Sequence, residues 1–236
     1  MIKSKQLLLI SMMLVLSFGL IAQGEEQNAS EIKLPRLRIA AGGSWSYRTG
    51  KVSDQIPSDF KTYTKELKSG WHYQFDMSYY ISERLGLGLK LSDYRAQNEI
   101  SSIYVVQQDG TMSYGKMSDD IRILFFGPML STRLIMPNRN SFLFNLSIGY
   151  MTYNNEAVLI TPYTFTGETI GLSWDIGYDL MATSNLAIGV QLSFVMGTLF
   201  EYKISDGTTT QTVKAEKENY ENLSRIDMSL GIRFIR

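Results

Sequence analysis

Cysteine is absent from the 236-residue chain, which removes disulfides, thiolate metal sites, cysteine nucleophiles and an acylated cysteine anchor together. An excess of one charge is lacking too. Lys and Arg number 23 and Asp and Glu 23, so nothing points to nucleic acid or to a strongly acidic partner. Histidine occurs once, at His72, and no group of His, Asp and Glu has metal-ligand spacing. Gly86-x-Gly88 lacks the strand-turn-helix setting of a phosphate loop. No catalytic residue, cofactor or metal site is therefore assigned.

Long apolar runs are also scarce, the exception being Leu7 to Ala22, which follows Lys3 and Lys5 and precedes the polar GEEQNASE. That layout is a secretory signal peptide, since the run is shorter than the roughly 20 residues of a membrane-spanning helix. The expected organisation is a signal peptide at 1–22, a short periplasmic lead at 23–35 and one domain at 36–236. With 44% hydrophobic and 12% aromatic residues, the domain is too apolar for disorder.

What is present is alternation. In TIGLSWDIGYDLMATSNLAIGVQLSFVMG, Ile170, Leu172, Trp174, Ile176, Tyr178 and Leu180 alternate with Gly171, Ser173, Asp175, Gly177 and Asp179. After Thr183 to Asn185 the scheme resumes from Leu186 to Gly197. This is a period-two hairpin with two unlike faces. The same reading gives strands from Arg36 to Arg48, Gly70 to Ser82, Leu85 towards Ala96, Asp120 to Met136, Phe142 to Met151 and Ile226 to Phe234. Eight strands result, the seventh running on to Ile204.

Parity shifts in the fourth strand, where Ile121, Ile123 and Phe125 are odd but Leu130, Leu134 and Met136 even. A bulge at Gly127-Pro128 accounts for it, because proline cannot donate to a ladder; a less polar inward face is the alternative. The polar 49–69 connection carries a short helical turn beginning at Ser58. IYVVQQDGTMSY, with Asp109-Gly110, reads as a small hairpin above the sheet, and a medium loop follows the fifth strand to Tyr163. Long connections and tight turns then gather at opposite ends of an up-and-down sheet.

Three features place the polar face inside. Its Gly42, Gly86, Gly88, Gly149, Gly171, Gly177, Gly189 and Gly231 suit a narrow eight-stranded interior, whereas a wet surface favours long charged residues. The other face is almost uncharged and would aggregate in water. Trp45, Tyr47, Trp71, Tyr73 and Tyr150 fall near the loop ends, and Tyr79, Phe142, Tyr178 and Phe234 near the turn ends, as two interfacial girdles. The fold class is all-β: an eight-stranded antiparallel up-and-down transmembrane β-barrel. A soluble lipocalin-like carrier would exchange the two faces.

With these strands, the FGPMLSTR segment and the terminal SLGIRF, residues from Arg36 to Arg236 resemble the small outer-membrane β-barrels of the OmpX and OmpA transmembrane-domain type. The resemblance implies export to the outer membrane of a Gram-negative bacterium, contact with lipid and lipopolysaccharide, insertion by the barrel-assembly machinery and a monomeric state. It also implies adhesion or partner binding through extracellular loops; an eight-stranded interior is just wide enough for side chains, so no open pore is expected, and no enzyme's chemistry is expected either. A peptidoglycan-binding domain after Arg236 is not expected.

The alternative within such barrels is a lipid-modifying enzyme. His72 would then need Ser44 or Ser46 as its nucleophile, yet no local motif of that kind occurs, and a structural lumen histidine, four residues from Asp76 on the same face, is the expectation. Arg38, Lys90, Arg122, Arg133 and Arg233 are expected to meet Asp76, Asp175, Asp179 and Asp227 inside the barrel. Asp54, Asp59, Asp119, Asp120, Glu216, Glu218 and Glu221 read as solvated loop charge. The Asp109-Gly110 hairpin is expected to expose a strand edge for partner binding by strand addition.

Overall fold

The computed structural model describes residues 35–50, 58–106, 110, 112–215 and 220–236. The expected signal peptide and all but the last residue of the lead lie outside the described residues, as do Asp54, Asp109, Glu216 and Glu218. The elements are β1 (Leu37–Arg48), α1 (Ser58–Glu66), β2 (Ser69–Tyr80), β3 (Leu85–Val106), β4 (Met112–Ile135), β5 (Ser141–Leu159) and β6 (Thr161–Met181). They continue with β7 (Leu186–Met196), β8 (Thr198–Leu199), β9 (Glu201–Ser205), β10 (Thr210–Lys214), β11 (Glu221–Asn222) and β12 (Arg225–Ile235).

Eight of these strands form an antiparallel ring. β1 to β7 pair in order, β7 pairs β12, and β12 returns to β1. Glycines let the seam between first and last strand form: Gly42 stands opposite Gly231, and a Cβ on Gly231 would lie 2.1 Å from the Ala41 carbonyl oxygen. The small residues thus serve backbone approach as well as lumen space.

The faces have the expected polarity. Along β7, Ala187, Gly189, Gln191, Ser193 and Val195 are buried, while Ile188, Val190, Leu192 and Phe194 are exposed. Leu87, Leu89, Phe126, Leu146, Ile148, Ile176, Leu230 and Ile232 continue this apolar belt around the outside. Strands of 11–12 residues such as β1, β2, β7 and β12 rise roughly 3.3 Å per residue, enough to cross a ~25 Å apolar band when tilted. Trp45, Tyr47, Trp71 and Tyr73 form a contiguous exposed patch on β1 and β2, and Trp45 Nε1 donates to Ser69 Oγ at 2.7 Å. Phe142 and Tyr178 meet near the turn end, their rings 4.8 Å apart.

Four expectations need correction. First, β4 keeps one register with β3 and β5 through Gly127 and Pro128, so no bulge lies there. The less polar inward face explains the pattern: Ile121, Ile123, Phe125 and Met129 all point in. Proline only interrupts the ladder, since neither Gly127 nor Pro128 has a partner on β5. The irregularity sits at Ile100/Ile103 in β3 instead. Second, unbroken parity puts Arg122 outside, where it is exposed and Nε donates to Asp93 Oδ1 at 2.9 Å.

Third, the hairpin after β3 and the loop after β5 are the barrel wall itself. β3 to β6 run 19–24 residues, and β5 turns directly into β6 at Ile160, whose φ is 66°. Fourth, the seventh strand breaks after Met196, and the chain resumes as β9, which pairs with β6 and carries β10 as a further hairpin strand. The register of β9 on β6 is offset by one residue from that of β7, so an interruption between them is required.

Candidate functional site

The turn-end half of the lumen is a charge network. Arg38 grips Asp179 with two bonds, Nε to Oδ2 at 2.7 Å and Nη2 to Oδ1 at 3.2 Å, and Arg233 Nε lies 3.4 Å from the same carboxylate. Lys90 pairs with Asp175 and donates to Ser173 Oγ at 2.8 Å. Arg133 donates to the Glu83 carbonyl at 2.8 Å and covers the Tyr80 ring at 3.7 Å. Buried charges are tolerated in so narrow a space because partners replace water. Asp76, opposite Lys90 in the register, makes no hydrogen bond through either oxygen among the described residues.

Arg225 was missed because the last strand was started at Ile226, although its parity with Asp227 and Arg233 marks it as inward. It is fully buried, bonding Asp227 at 3.2 Å and Ser92 Oγ at 2.5 Å. Arg225 replaces Arg122 in the lumen, so five cations still face four aspartates.

His72 sits at the top of this network. Register places Ser44 opposite it, and Ser44 Oγ lies 2.7 Å from Nδ1. Asp227 Oδ2 lies 3.8 Å from Nε2, beyond hydrogen-bond distance, and Ser46 donates to Asp227 at 2.5 Å. The set has serine, histidine and aspartate in one chain of contacts. His72 and Asp227 are 0% exposed and Ser44 5%, so the hydroxyl is shut away from solvent.

Above His72 the lumen changes character. Tyr94, Ile121, Ile123, Phe125, Met151, Tyr153, Val195, Leu199 and Leu223 pack into one apolar core, joined by Tyr63 of α1 and by Leu67. Helix α1 is held to β3 by Asn98, whose Nδ2 donates to the Tyr63 carbonyl at 3.1 Å and whose carbonyl lies 3.2 Å from Tyr63 Oη. Tyr63 donates to Asp119 at 2.6 Å, and burial together with that carboxylate pushes its hydroxyl above the ordinary tyrosine range.

Beyond this core, the long strands and β9 border a half-open cavity of 570 Å³ at the loop end. Met117, Ala157, Leu159, Phe165 and Ile204 give it apolar walls, with Asp119, Asn155 and Glu221 among them. Two of the residues read as solvated loop charge therefore line this cavity: Asp119 is bonded by Tyr63 and Asn155, and Glu221 pairs with Arg48, whereas Asp120 keeps an exposed bond from Gln97 at 2.7 Å. Among the described residues no group of three His, Cys, Asp or Glu could hold a metal ion.

No family model matches the chain, and no curated protein matches it. Among solved structures, the outer membrane protein OprG from Pseudomonas aeruginosa aligns with a TM-score of 0.52 at 12% identity, over 86% of this chain and 97% of that one. The chain has the fold of a small outer-membrane β-barrel. The Neisserial surface protein A, NspA, gives a TM-score of 0.47 at 13% identity over 84% of this chain and 94% of its own. The outer membrane protease OmpT from Escherichia coli gives 0.46 at 9%, over 89% and 99%. At such identities the likeness concerns architecture, and function has to be argued from this chain's residues.

Proposed function

We propose that this protein is a monomeric integral outer-membrane barrel of a Gram-negative bacterium, akin to the OmpX and OmpA type, that binds an extracellular partner with its projecting wall. The barrel-assembly machinery would insert it among lipid and lipopolysaccharide. One observation carries the reading: β3 to β6 are 19–24 residues long, about twice the membrane-crossing length of β1, β2, β7 and β12. Half the wall thus rises above the bilayer. At its rim, β10 stands at the end of the sheet order, paired among the described residues with β9 alone. A strand edge of this kind offers N–H and C=O groups for strand addition.

The role is non-enzymatic and non-conducting in this reading. Ser44 is buried beneath the apolar core, and that core together with the ion pairs fills the lumen. The belt of exposed leucines, isoleucines and aromatics argues against a soluble carrier, which would hold them inside.

Intact cells expressing the protein test the binding reading by attachment to host-cell monolayers or matrix-coated wells. Deleting 103–114, or replacing Thr212 by proline to spoil the β10 edge, should lower attachment several-fold while the barrel still shifts on unboiled gels. Unchanged attachment by both variants would count against it. Purified protein in planar bilayers should give no reproducible large conductance steps, and regular steps would overturn the filled lumen.

A further inference from the structure

We propose that the loop-end cavity is a binding site for an amphiphilic amine, a molecule with an apolar body and a primary ammonium head. The inference rests on the reading that this end faces the outside, and it concerns a small ligand independent of any protein partner. A volume of 570 Å³ is within the range of small-molecule sites, roughly 300–1,000 Å³. Met117, Leu159, Phe165 and Ile204 supply walls for an apolar body.

The polar groups set the sign of the head. Asp119 Oδ2 accepts from Tyr63 Oη at 2.6 Å and Oδ1 accepts from Asn155 Nδ2 at 2.5 Å. Both donors are neutral, and no cation among the described residues lies within ion-pairing distance of this carboxylate. Its negative charge is hydrogen-bonded but not compensated. Each carboxylate oxygen keeps a lone pair for a further donor.

Asn155 is the second, independent indication. It is 6% exposed, its Nδ2 is committed to Asp119, and among the described residues its Oδ1 has no hydrogen-bond partner. A buried acceptor without a donor is costly, and an ammonium brings three donors. Flipping the amide would set its oxygen against the carboxylate, so the acceptor must face elsewhere. Glu221, also in the lining, is already answered by Arg48. Tyr153, Tyr163 and Tyr202 can donate or accept and so do not choose the charge. The lining therefore keeps one uncompensated negative charge and one unsatisfied acceptor, which favour a cationic donor and repel a carboxylate.

The full protein folded in lipid nanodiscs tests this with decylamine, decanol and decanoate by titration calorimetry, with empty nanodiscs subtracted. Decylamine should bind saturably at one site and at least tenfold tighter than decanoate. Asp119→Asn should remove that preference while decanol binding stays within about twofold. Ala157→Trp, which leaves Asp119, Tyr63 and Asn155 unaltered and fills the cavity, should abolish saturable binding of all three. Equal affinity for amine and carboxylate, or saturable binding that survives Ala157→Trp, would overturn the proposal. A gel shift on heating confirms that each variant is folded. Absence of saturable amine binding by the wild-type protein, with attachment of cells intact, would defeat this site alone, whereas loss of attachment in the 103–114 deletion with amine binding intact would leave both readings standing.

Discussion

The two halves of the lumen solve the same packing problem with opposite materials. Towards the turns, Arg38, Lys90 and Arg233 are held by aspartates among serines and glycines; towards the loops, Ile121, Ile123, Phe125 and Met151 meet Tyr63 and Leu223. The lower half is enclosed by the lipid-facing wall alone, and its charges must find partners across the ring. The upper half is closed by chain that is not barrel: α1, β8 and the segment around Leu223. An apolar plug can recruit such segments by burial, at about 1.5–3 kcal/mol for each large side chain, without demanding exact hydrogen-bond geometry. The plug is thus where the projecting wall and the loops are tied to the barrel.

Breaking the lower half should have the largest effect. Lys90→Met leaves Asp175 buried without its cation, and stability in urea should fall by about 3–5 kcal/mol. The double variant Lys90→Met, Asp175→Leu should recover the part of that loss owed to Asp175, since an apolar pair of similar volume carries no desolvation debt, while Asp76 opposite Lys90 still lacks its cation. A double variant as unstable as the single one would mean that the lower half depends on the ions for more than pairing. In the upper half Ile123→Ala should cost about 2–4 kcal/mol by opening a cavity in the plug. Unlike the lysine change, it should also speed amide exchange in α1, which rests on that core.

These regions were unequally legible. Strict alternation disclosed the ring, the faces and most of the lower network, because glycine, serine and aspartate inside contrast with leucine outside. In β4 the contrast vanishes: Ile121, Ile123 and Phe125 are inward yet apolar, and the assumption of a polar interior converted a chemical change into a false register shift. Arg122 was carried inward by that shift. The unbroken odd series from Ile121 through Phe125 and Met129 to Arg133 was the signal that could have revealed the plug. The cavity was hidden for another reason, since Asn155, Ala157 and Tyr163 lie where weak alternation reads as loop. Its walls depend on β5 and β6 continuing past the membrane, a tertiary fact that local pattern does not contain.

Tyr63→Phe sharpens the comparison at the junction of plug and loop. It removes one hydrogen bond to Asp119 and should loosen α1 by about 1–2 kcal/mol at neutral pH. The sign with pH follows from the raised value of the Tyr63 hydroxyl. Its contribution is complete below the unfolded tyrosine value of about 10 and is lost as pH rises through the higher folded value. The stability gap between wild type and Tyr63→Phe should therefore be constant from pH 7 to 9 and narrow above pH 10. A gap that stays constant to pH 11.5 would show that the hydroxyl does not govern the docking.

The smallest effect is expected beyond both halves, in the turn from β9 to β10. Asp206 Oδ1 accepts from the amides of Thr209 and Thr208 at 2.6 and 2.9 Å, and Gly207 between them takes a φ of 86° that favours glycine. Those amides hold the exposed carboxyl below its ordinary range. Its contribution is therefore present above the unfolded aspartate value of about 4 and disappears as pH falls through the folded value. Asp206→Ala should accelerate exchange of the Thr208 and Thr209 amides near neutral pH, and wild type should approach the variant at low pH. Global urea unfolding should not change, because among the described residues the Asp206 carboxylate bonds only Thr208 and Thr209 of its own turn. A shift in the global midpoint would mean that the projecting wall and the barrel unfold as one unit, contrary to a plug that ties together parts of separate stability.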